Sequence, residues 1–377
     1  MFVDRVALED FRNYEREEVQ FADGLNVVVG ANAQGKTNLL EAVYCLGGLG
    51  PLRSSESEVV RHGAERAIVH AVMNRRSRNI RVDMEMKQGR SARVLVNRTP
   101  VSGPRALREL ATCVFFGPDD LSLVKGSPDV RRRFLDDLVV KLRPAREPIR
   151  REWERVLRQR NALLKTIPRS SAGRSDALST LDVWDEAMGR AGAELTAARI
   201  ETLEDLGPVV NERYAGIAGT GSIAMSYSSA WLDPGAVTND VNALRAILEQ
   251  QIAATRGREI ERGMSLVGPQ RDDVAIHIAR DASVVDARAY ASQGDQRTIA
   301  LALKLGERDL LADALGDPPI LLLDDVFSEL DPSRREWLAK EVKGLGQTVV
   351  SSAGDSHDVP GGHDRLFTVV AGKVAQG

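Results

Sequence analysis

Lys36 and Thr37 close the stretch Gly30-Ala31-Asn32-Ala33-Gln34-Gly35-Lys36-Thr37, and near the far end of the chain Asp324 and Asp325 stand side by side. These residue types suit phosphate chemistry. A lysine at the end of a glycine-bounded loop reaches the β- and γ-phosphates of a nucleotide, and the hydroxyl beside it holds Mg²⁺. A carboxylate ending a hydrophobic strand, as in Ile320-Leu321-Leu322-Leu323-Asp324-Asp325, suits the same metal when it lies next to such a loop. The second carboxylate, Asp325, can polarise or deprotonate an attacking water; taken without the loop, it would read as a solvated charge at a strand end.

The elements needed to position these groups are legible. Leu25-Asn26-Val27-Val28-Val29 reads as a strand feeding the loop, and Leu39, Leu40, Val43 and Leu46 recur at helical spacing behind it. Strand, glycine loop and helix form the context that a phosphate-binding P-loop requires. The glycines let the backbone N–H groups turn inward, and the helix start adds unpaired donors and the positive end of its dipole. Gly47-Gly48 marks the end of that helix. Tyr290-Ala291-Ser292-Gln293-Gly294-Asp295-Gln296-Arg297 precedes another helical segment and offers a second helix start suited to an anion. Ser328-Glu329-Leu330-Asp331-Pro332 fits an N-cap with proline at the first helical position, or a subunit interface.

With 43% hydrophobic and 28% charged residues the composition is that of an ordinary globular protein, and 377 residues suffice for two lobes. The net charge of −3 excludes a polycation, so contact with nucleic acid must come from local clusters. Cys45 and Cys113 lie in apolar surroundings without CxxC spacing and read as buried free thiols. His62, His70, His277, His357 and His363 have no ligand spacing and read as structural or surface residues. The charged N-terminus argues against a signal peptide, no apolar run is long enough to span a membrane, and a cytoplasmic location is expected.

Residues 1 to 29 read as three strands, Phe2 to Leu8, Glu17 to Phe21 and the strand before the loop. Alternating segments between Ala67 and Val101 predict antiparallel, half-exposed strands. After Phe115-Phe116-Gly117-Pro118 the pattern becomes helical and rich in arginine. Helices are expected over Glu147 to Lys165 and about Asp176 to Leu206, joined by a polar turn at 168–175 into a hairpin about 30–45 Å long. A strand over Ser222 to Tyr227 and a helix over Asn239 to Ala254 follow, with α/β patterning resuming from Leu266. The arginines between Arg131 and Lys165 either face DNA phosphates or form a solvated face paired to Glu147, Glu152 and Glu154.

The order of motifs is specific: P-loop, long insertion, Ser-x-Gly-x-x-Arg, hydrophobic strand with two acids, then Ser-Glu-Leu-Asp. With Asp10-Phe11-Arg12-Asn13-Tyr14, Gly117-Pro118-Asp119-Asp120-Leu121, Lys125-Gly126-Ser127-Pro128, Arg131-Arg132-Arg133-Phe134-Leu135-Asp136, Arg158-Gln159-Arg160-Asn161-Ala162-Leu163-Leu164 and Gly268-Pro269-Gln270-Arg271-Asp272-Asp273, the chain resembles the ABC-type ATPase heads of the SMC class. Within them it resembles the RecF family of bacterial recombination mediators, nearly end to end.

The resemblance implies an α/β fold: an ABC-type ATPase head, a P-loop mixed sheet with an antiparallel β lobe, formed by residues 1–130 and 265–377. A mainly helical arm over 131–264 is inserted in it. ATP with Mg²⁺ would be enclosed in an ATP-dependent homodimer, between the P-loop of one copy and Ser292, Gly294 and Arg297 of the other. Arg12 would contact the phosphates or brace the nucleotide, Asp324 would bind magnesium, and Lys36 and Asp325 would be the catalytic pair. The dimer would clamp double- and single-stranded DNA at gaps or junctions and release it after weak, DNA-stimulated hydrolysis. With RecO and RecR it would help load RecA on single strands, supporting replication-fork recovery and SOS induction.

Two departures stand out. No glutamine lies between Ala111 and Leu123, where many such heads place one, and Ser351-Ser352 follow the late strand where ABC transporters use histidine. Aspartate rather than glutamate at 325 holds water less closely and predicts slow turnover. A transporter ATPase subunit and a scaffold that never turns over its nucleotide are the competing functions; the long arginine-rich insertion argues against the first.

Overall fold

The computed structural model describes the chain apart from residues 49, 53–55, 102–103, 109, 168–173, 234–236, 281–282 and 355–358. Most of the turn expected at 168–175, and His357, lie outside the described residues. Two units emerge: Met1–Leu121 with Glu212–Thr220 and Ser292–Gly377, and Ser122–Asn211 with Gly221–Ala291.

The first unit begins with β1 (Phe2–Phe11) and β2 (Tyr14–Gln20), a hairpin, then β3 (Leu25–Val29) and α1 (Lys36–Cys45). Next come β4 (Arg66–Arg75), β5 (Arg78–Lys87), β6 (Arg90–Val96), β7 (Thr99–Val101), the short α2 (Pro104–Arg108) and β8 (Cys113–Phe116). β1, β2 and β4 to β7 build an antiparallel sheet in the order β2-β1-β4-β5-β6-β7. Alternation dictates it: Ala67, Val69, Ala71 and Met73 of β4 are buried while the residues between them are not. β7 is a three-residue edge strand containing Pro100, too short to show a period in sequence.

The second unit holds α3 (Ser122–Lys125), α4 (Pro128–Leu142), α5 (Glu147–Thr166), most of α6 (Arg174–Ala218), β9 (Ser222–Ser228), α7 (Val241–Arg262), β10 (Asp273–Arg280), β11 (Ser283–Asp286) and α8 (Ala287–Tyr290). Its core joins Trp153, Val156, Met188, Leu244, Leu248 and Ile252. α6 corrects the expected stop near Leu206: it runs 45 residues, through Gly207-Pro208, and is about 68 Å long. Leu203, Leu206, Val210, Tyr214 and Ile217 are buried at helical spacing on both sides of the proline. That apolar stripe outweighs the one backbone hydrogen bond that proline removes. The expected 30–45 Å hairpin is therefore too short on this side.

β9, β10 and β11 form their own antiparallel sheet in the order β11-β10-β9. Residues 265–291 thereby sit in the second unit, whereas the sequence reading grouped them with 292–377. The alternating burial of β10 resembles that of the first unit's strands, and the pattern alone does not reveal the partner.

The chain returns to the first unit with α9 (Gln293–Leu315), β12 (Ile320–Asp324), α10 (Pro332–Val342), β13 (Thr348–Ser352), β14 (Arg365–Val370) and β15 (Lys373–Gln376). These strands join β3 and β8 in a second six-stranded sheet, β15-β14-β3-β13-β12-β8, parallel except for β15. β3, β12 and β13 are runs of buried residues, as strands covered on both faces require. Register then does the positioning. Asp324 lies opposite Ser351 and Ser352 opposite Val29, so the carboxyl ends of β12, β13 and β3 finish level. Buried Gln347 ties this sheet to the chain start through Val3 (2.8 and 2.7 Å) and the Ala22 carbonyl (2.8 Å).

Candidate nucleotide-binding and hydrolysis site

The loop after β3 needs glycine at both ends. Gly30 has φ 153° and a Cβ there would meet the Val369 carbonyl oxygen at 2.3 Å; Gly35 has φ 121° and its Cβ would meet Asn13 Nδ2 at 2.7 Å. Lys36 Nζ spans the loop, donating to the Gly30 carbonyl at 2.7 Å and the Ala31 carbonyl at 2.9 Å. Burial lowers the Lys36 pKa, while Asp325 and Asp324 act in the opposite direction. Gln34 does not line the cavity; its Oε1 accepts from the Ala371 N–H at 2.7 Å and anchors the loop from behind.

The turn between β1 and β2 braces this loop. Asn13 Nδ2 donates to the Gln34 carbonyl and buried Tyr14 Oη to the Gly35 carbonyl, at 2.8 and 2.9 Å. Arg12 donates through Nε and Nη2 to Glu41 on α1 and through Nη1 to the Glu58 carbonyl. Sequence reasoning singled out Arg12 but not Asn13, Tyr14 or Glu41. Their only signal was adjacency to Arg12 and, for Glu41, a carboxylate on an otherwise apolar helix face.

Thr37 Oγ1 lies 2.9 Å from both carboxylate oxygens of Asp324, although 287 positions separate the two residues. Ser351 Oγ donates to Asp324 Oδ1 at 2.7 Å. Asp325 follows in a left-handed conformation, φ 54°, its Oδ1 receiving Ser328 Oγ at 3.0 Å and the Ala353 N–H at 3.3 Å. Arg12, Asn32, Ala33, Gly35, Lys36, Thr37, Pro118, Asp324 and Asp325 line one cavity of about 560 Å³, a volume suited to a small ligand. Hydroxyl and carboxylate fit Mg²⁺: neighbouring oxygens of an octahedral ion at 2.0–2.1 Å lie about 2.9 Å apart. Among the described residues no three His, Cys, Asp or Glu side chains cluster to hold a metal. A magnesium site completed by phosphate and water needs no such cage.

Where the glutamine is missing, Pro118 lines the cavity and the Gly117 N–H donates to Asp120 Oδ2 at 2.8 Å, with desolvation raising the Asp120 pKa. Ser292 caps α9 in a reciprocal box with Asp295, its Oγ donating to Asp295 Oδ2 at 2.7 Å. The carboxylate thus occupies the helix start that was read as an anion cradle. Neither Ser292 nor Gly294 lines the P-loop cavity. Arg297 lines a small cleft with Asp324 and Asp325, its Nε 3.1 Å from Glu329 Oε2. Asp331 caps α10, accepting from the Ser333 and Arg334 N–H groups at 3.1 Å.

Of the two alternatives for the arginines between Arg131 and Lys165, pairing with carboxylates holds for several. Arg131 is buried and makes a bidentate pair with Asp273 at 2.7 and 2.8 Å. Arg160 is fully buried between Asp185 (2.7 Å) and Glu259 (2.6 Å). Arg150, Arg151 and Arg155 pair with Asp137, Glu147 and Glu152, whereas Arg133, Arg158 and Lys165 are exposed. Cys45 and Cys113 are buried and unbridged. Among the described residues no helix is long and apolar enough to cross a membrane.

Comparison with known proteins places the whole chain. The family described as RecF/RecN/SMC N terminal domain matches residues 2–367. The DNA replication and repair protein RecF of Streptomyces avermitilis is 45% identical over 366 residues, covering 96% of this chain and 95% of that protein. The solved structure of the recombination mediator protein RecF-ATPrS in the RecFOR pathway superposes with a TM-score of 0.89 at 28% identity, covering 100% of this chain and 98% of that one. The corresponding RecF-ATP structure gives 0.89 at 27% identity, covering 100% and 97%.

Proposed function

From a chain that belongs to the RecF/RecN/SMC N terminal domain family and has the α/β fold of its ABC-type ATPase heads, we infer a DNA replication and repair factor of the recombination-mediator type, driven by ATP. The observation that carries this reading is the Thr37 hydroxyl resting on Asp324, which brings together the two halves of a nucleotide site from opposite ends of the sequence.

The loop N–H groups and Lys36 hold the phosphates, and Thr37 with Asp324 would hold Mg²⁺, which neutralises phosphate charge when bound. Asp325 orients a water, or takes its proton, as the water oxygen bonds to the γ-phosphorus and the bond to the bridging oxygen breaks, giving ADP and phosphate. Its side chain is one methylene shorter than glutamate, and turnover is slow, stimulated by DNA.

The first unit acts as the ATPase head and the second as the arm. Two copies close on ATP, with Ser292, Gly294 and Arg297 of one completing the P-loop site of the other. The closed dimer grips gapped or junction DNA in the cytoplasm and releases it on hydrolysis. Relatives named for the RecFOR pathway support RecO and RecR as partners; the outcome proposed for this chain is loading of RecA.

The test is Lys36→Ala. Losing charge-assisted bonds of about 1.5–3 kcal/mol each weakens ATP binding about tenfold to a hundredfold. Light scattering with ATP, Mg²⁺ and gapped duplex reports a doubled mass for the parent and a single copy for the variant. A parent that stays single at saturating nucleotide overturns the clamp.

A further inference from the structure

We propose that Ser351 is a positioning residue for hydrolysis, its hydroxyl setting the aim of both Asp324 and Asp325. The proposal rests on the reading of this site as an ATPase.

Ser351 sits one residue before the end of β13, between β3 and β12, and is 0% exposed. Its Oγ donates to Asp324 Oδ1 at 2.7 Å and accepts the Asp325 N–H at 3.0 Å; its carbonyl shares that N–H at 3.2 Å. A hydroxyl has one proton. Here it goes to the carboxylate, and the lone pairs face the backbone of the next residue. A continuous chain results: Asp325 N–H to Ser351 Oγ, Ser351 O–H to Asp324, with Thr37 O–H on the same carboxylate. Bonds in such a chain polarise one another.

Asp325 needs that support. Its φ of 54° is rare for a residue with a Cβ, and both oxygens of Ser351 fix the N–H that accompanies this turn. The direction of the Asp325 side chain follows from that backbone. One serine thereby governs where the metal-side carboxylate points and where the water-side carboxylate leaves the strand. Thr348, three residues earlier on β13, shows what a merely structural hydroxyl does: its long bonds, 3.4 and 3.5 Å, go to the Val342 and Gly346 carbonyls.

The experiment compares the full chain with Ser351→Ala, Ser351→Cys and the control Thr348→Val. ATP binding is measured by calorimetry in EDTA and across a Mg²⁺ titration, and phosphate release at steady state. Ser351→Ala binds ATP in EDTA as the parent does. It needs about five- to tenfold more Mg²⁺ to reach half of its metal-dependent gain in affinity, and kcat falls about tenfold with KM within about twofold. Ser351→Cys, of similar volume but a poor donor, behaves alike and carries the test should the alanine variant fail to fold. Thr348→Val matches the parent in all three readouts. A parental Mg²⁺ midpoint and kcat in the Ser351 variants overturn the proposal, as does an equal loss in Thr348→Val. A parent that neither binds ATP nor releases phosphate overturns the nucleotide reading itself.

Discussion

Arg12 grips Glu41 with two parallel bonds, Nε to Oε2 at 2.8 Å and Nη2 to Oε1 at 3.0 Å, and so ties the β1–β2 turn to α1 beneath the nucleotide cavity. The same carboxylate accepts the Leu52 N–H at 3.1 Å. Arg12 itself has φ 54°, a conformation this clamp helps to hold. The pair places a guanidinium at the cavity wall with its direction already fixed.

Glu41→Gln keeps the shape and removes the charge, leaving an amide N–H₂ facing the guanidinium. Hydrogen bonds to charged groups contribute about 1.5–3 kcal/mol, so the stability of the first unit falls by about 2 kcal/mol. With Arg12 no longer aimed, ATP affinity drops about tenfold. Urea unfolding and fluorescent-nucleotide titration check the two effects separately. Lost stability with parental affinity would remove Arg12 from the nucleotide's contacts.

Asp325→Asn leaves the N–H bonds to Ser351 and an acceptor for Ser328, so the strand end keeps its form. In the proposed mechanism it removes the group that takes or orients the water's proton. Phosphate release falls about a hundredfold or more, within the usual contribution of a general base, while ATP affinity stays within a few fold. Scattering with ATP and Mg²⁺ then shows a dimer that persists. Hydrolysis at the parental rate would show that another group handles the water.

Lys36, Thr37, Asp324 and Asp325 were legible because their chemistry dictates both residue type and local context: a glycine loop between strand and helix, and acids ending an apolar strand. The cavity brings these four together with Arg12. Asn13 and Tyr14 stood in a motif whose role fell to Arg12 alone, and Ser351 stood only as a replacement for histidine, because single polar residues have no period of their own. Their roles come from register, which is a property of the sheet rather than of any short stretch. α6 shows the reverse error. Gly207-Pro208 is a sound local stop signal, yet tertiary burial of Val210, Tyr214 and Ile217 carries the helix past it. β10 alternates, yet it pairs with β9 on one side and β11 on the other, a choice that alternation cannot encode.

Asp272 gives a pH test. It is 1% exposed, accepts from Tyr227 Oη at 2.8 Å and Trp231 Nε1 at 3.0 Å, and has Ser229 and Arg199 nearby. Burial outweighs these bonds and raises its pKa from 3.8 to about 6. Between those values the folded chain keeps a proton that the unfolded chain has released. The associated stability is present below about pH 4 and is lost as the pH rises through about 6, a change of about 3 kcal/mol. Asp272→Asn cannot titrate. The stability of the variant minus that of the parent therefore rises by about that amount between pH 4 and 6.5, as measured by urea unfolding. Parallel curves would place the Asp272 pKa near its ordinary value.

Arg158 and Arg160 lie two residues apart on α5 and should behave oppositely. Arg160 is enclosed by Asp185, Glu259 and Ser265, the last at 2.7 Å. Arg160→Ala leaves buried Glu259 without its cation and Asp185 with Arg256 alone, and lowers stability by about 3–5 kcal/mol. Arg158 is exposed, and Arg158→Ala changes stability by less than about 0.5 kcal/mol. Each phosphate contact contributes about −0.9 to the slope of log affinity against log salt on duplex DNA. If α5 presents Arg158 to the backbone, the slope for Arg158→Ala is shallower by about that amount between 50 and 200 mM salt, and affinity falls for all sequences alike. An unchanged slope places the phosphate contacts elsewhere, and the surface of α5 then serves only to keep the arm hydrated.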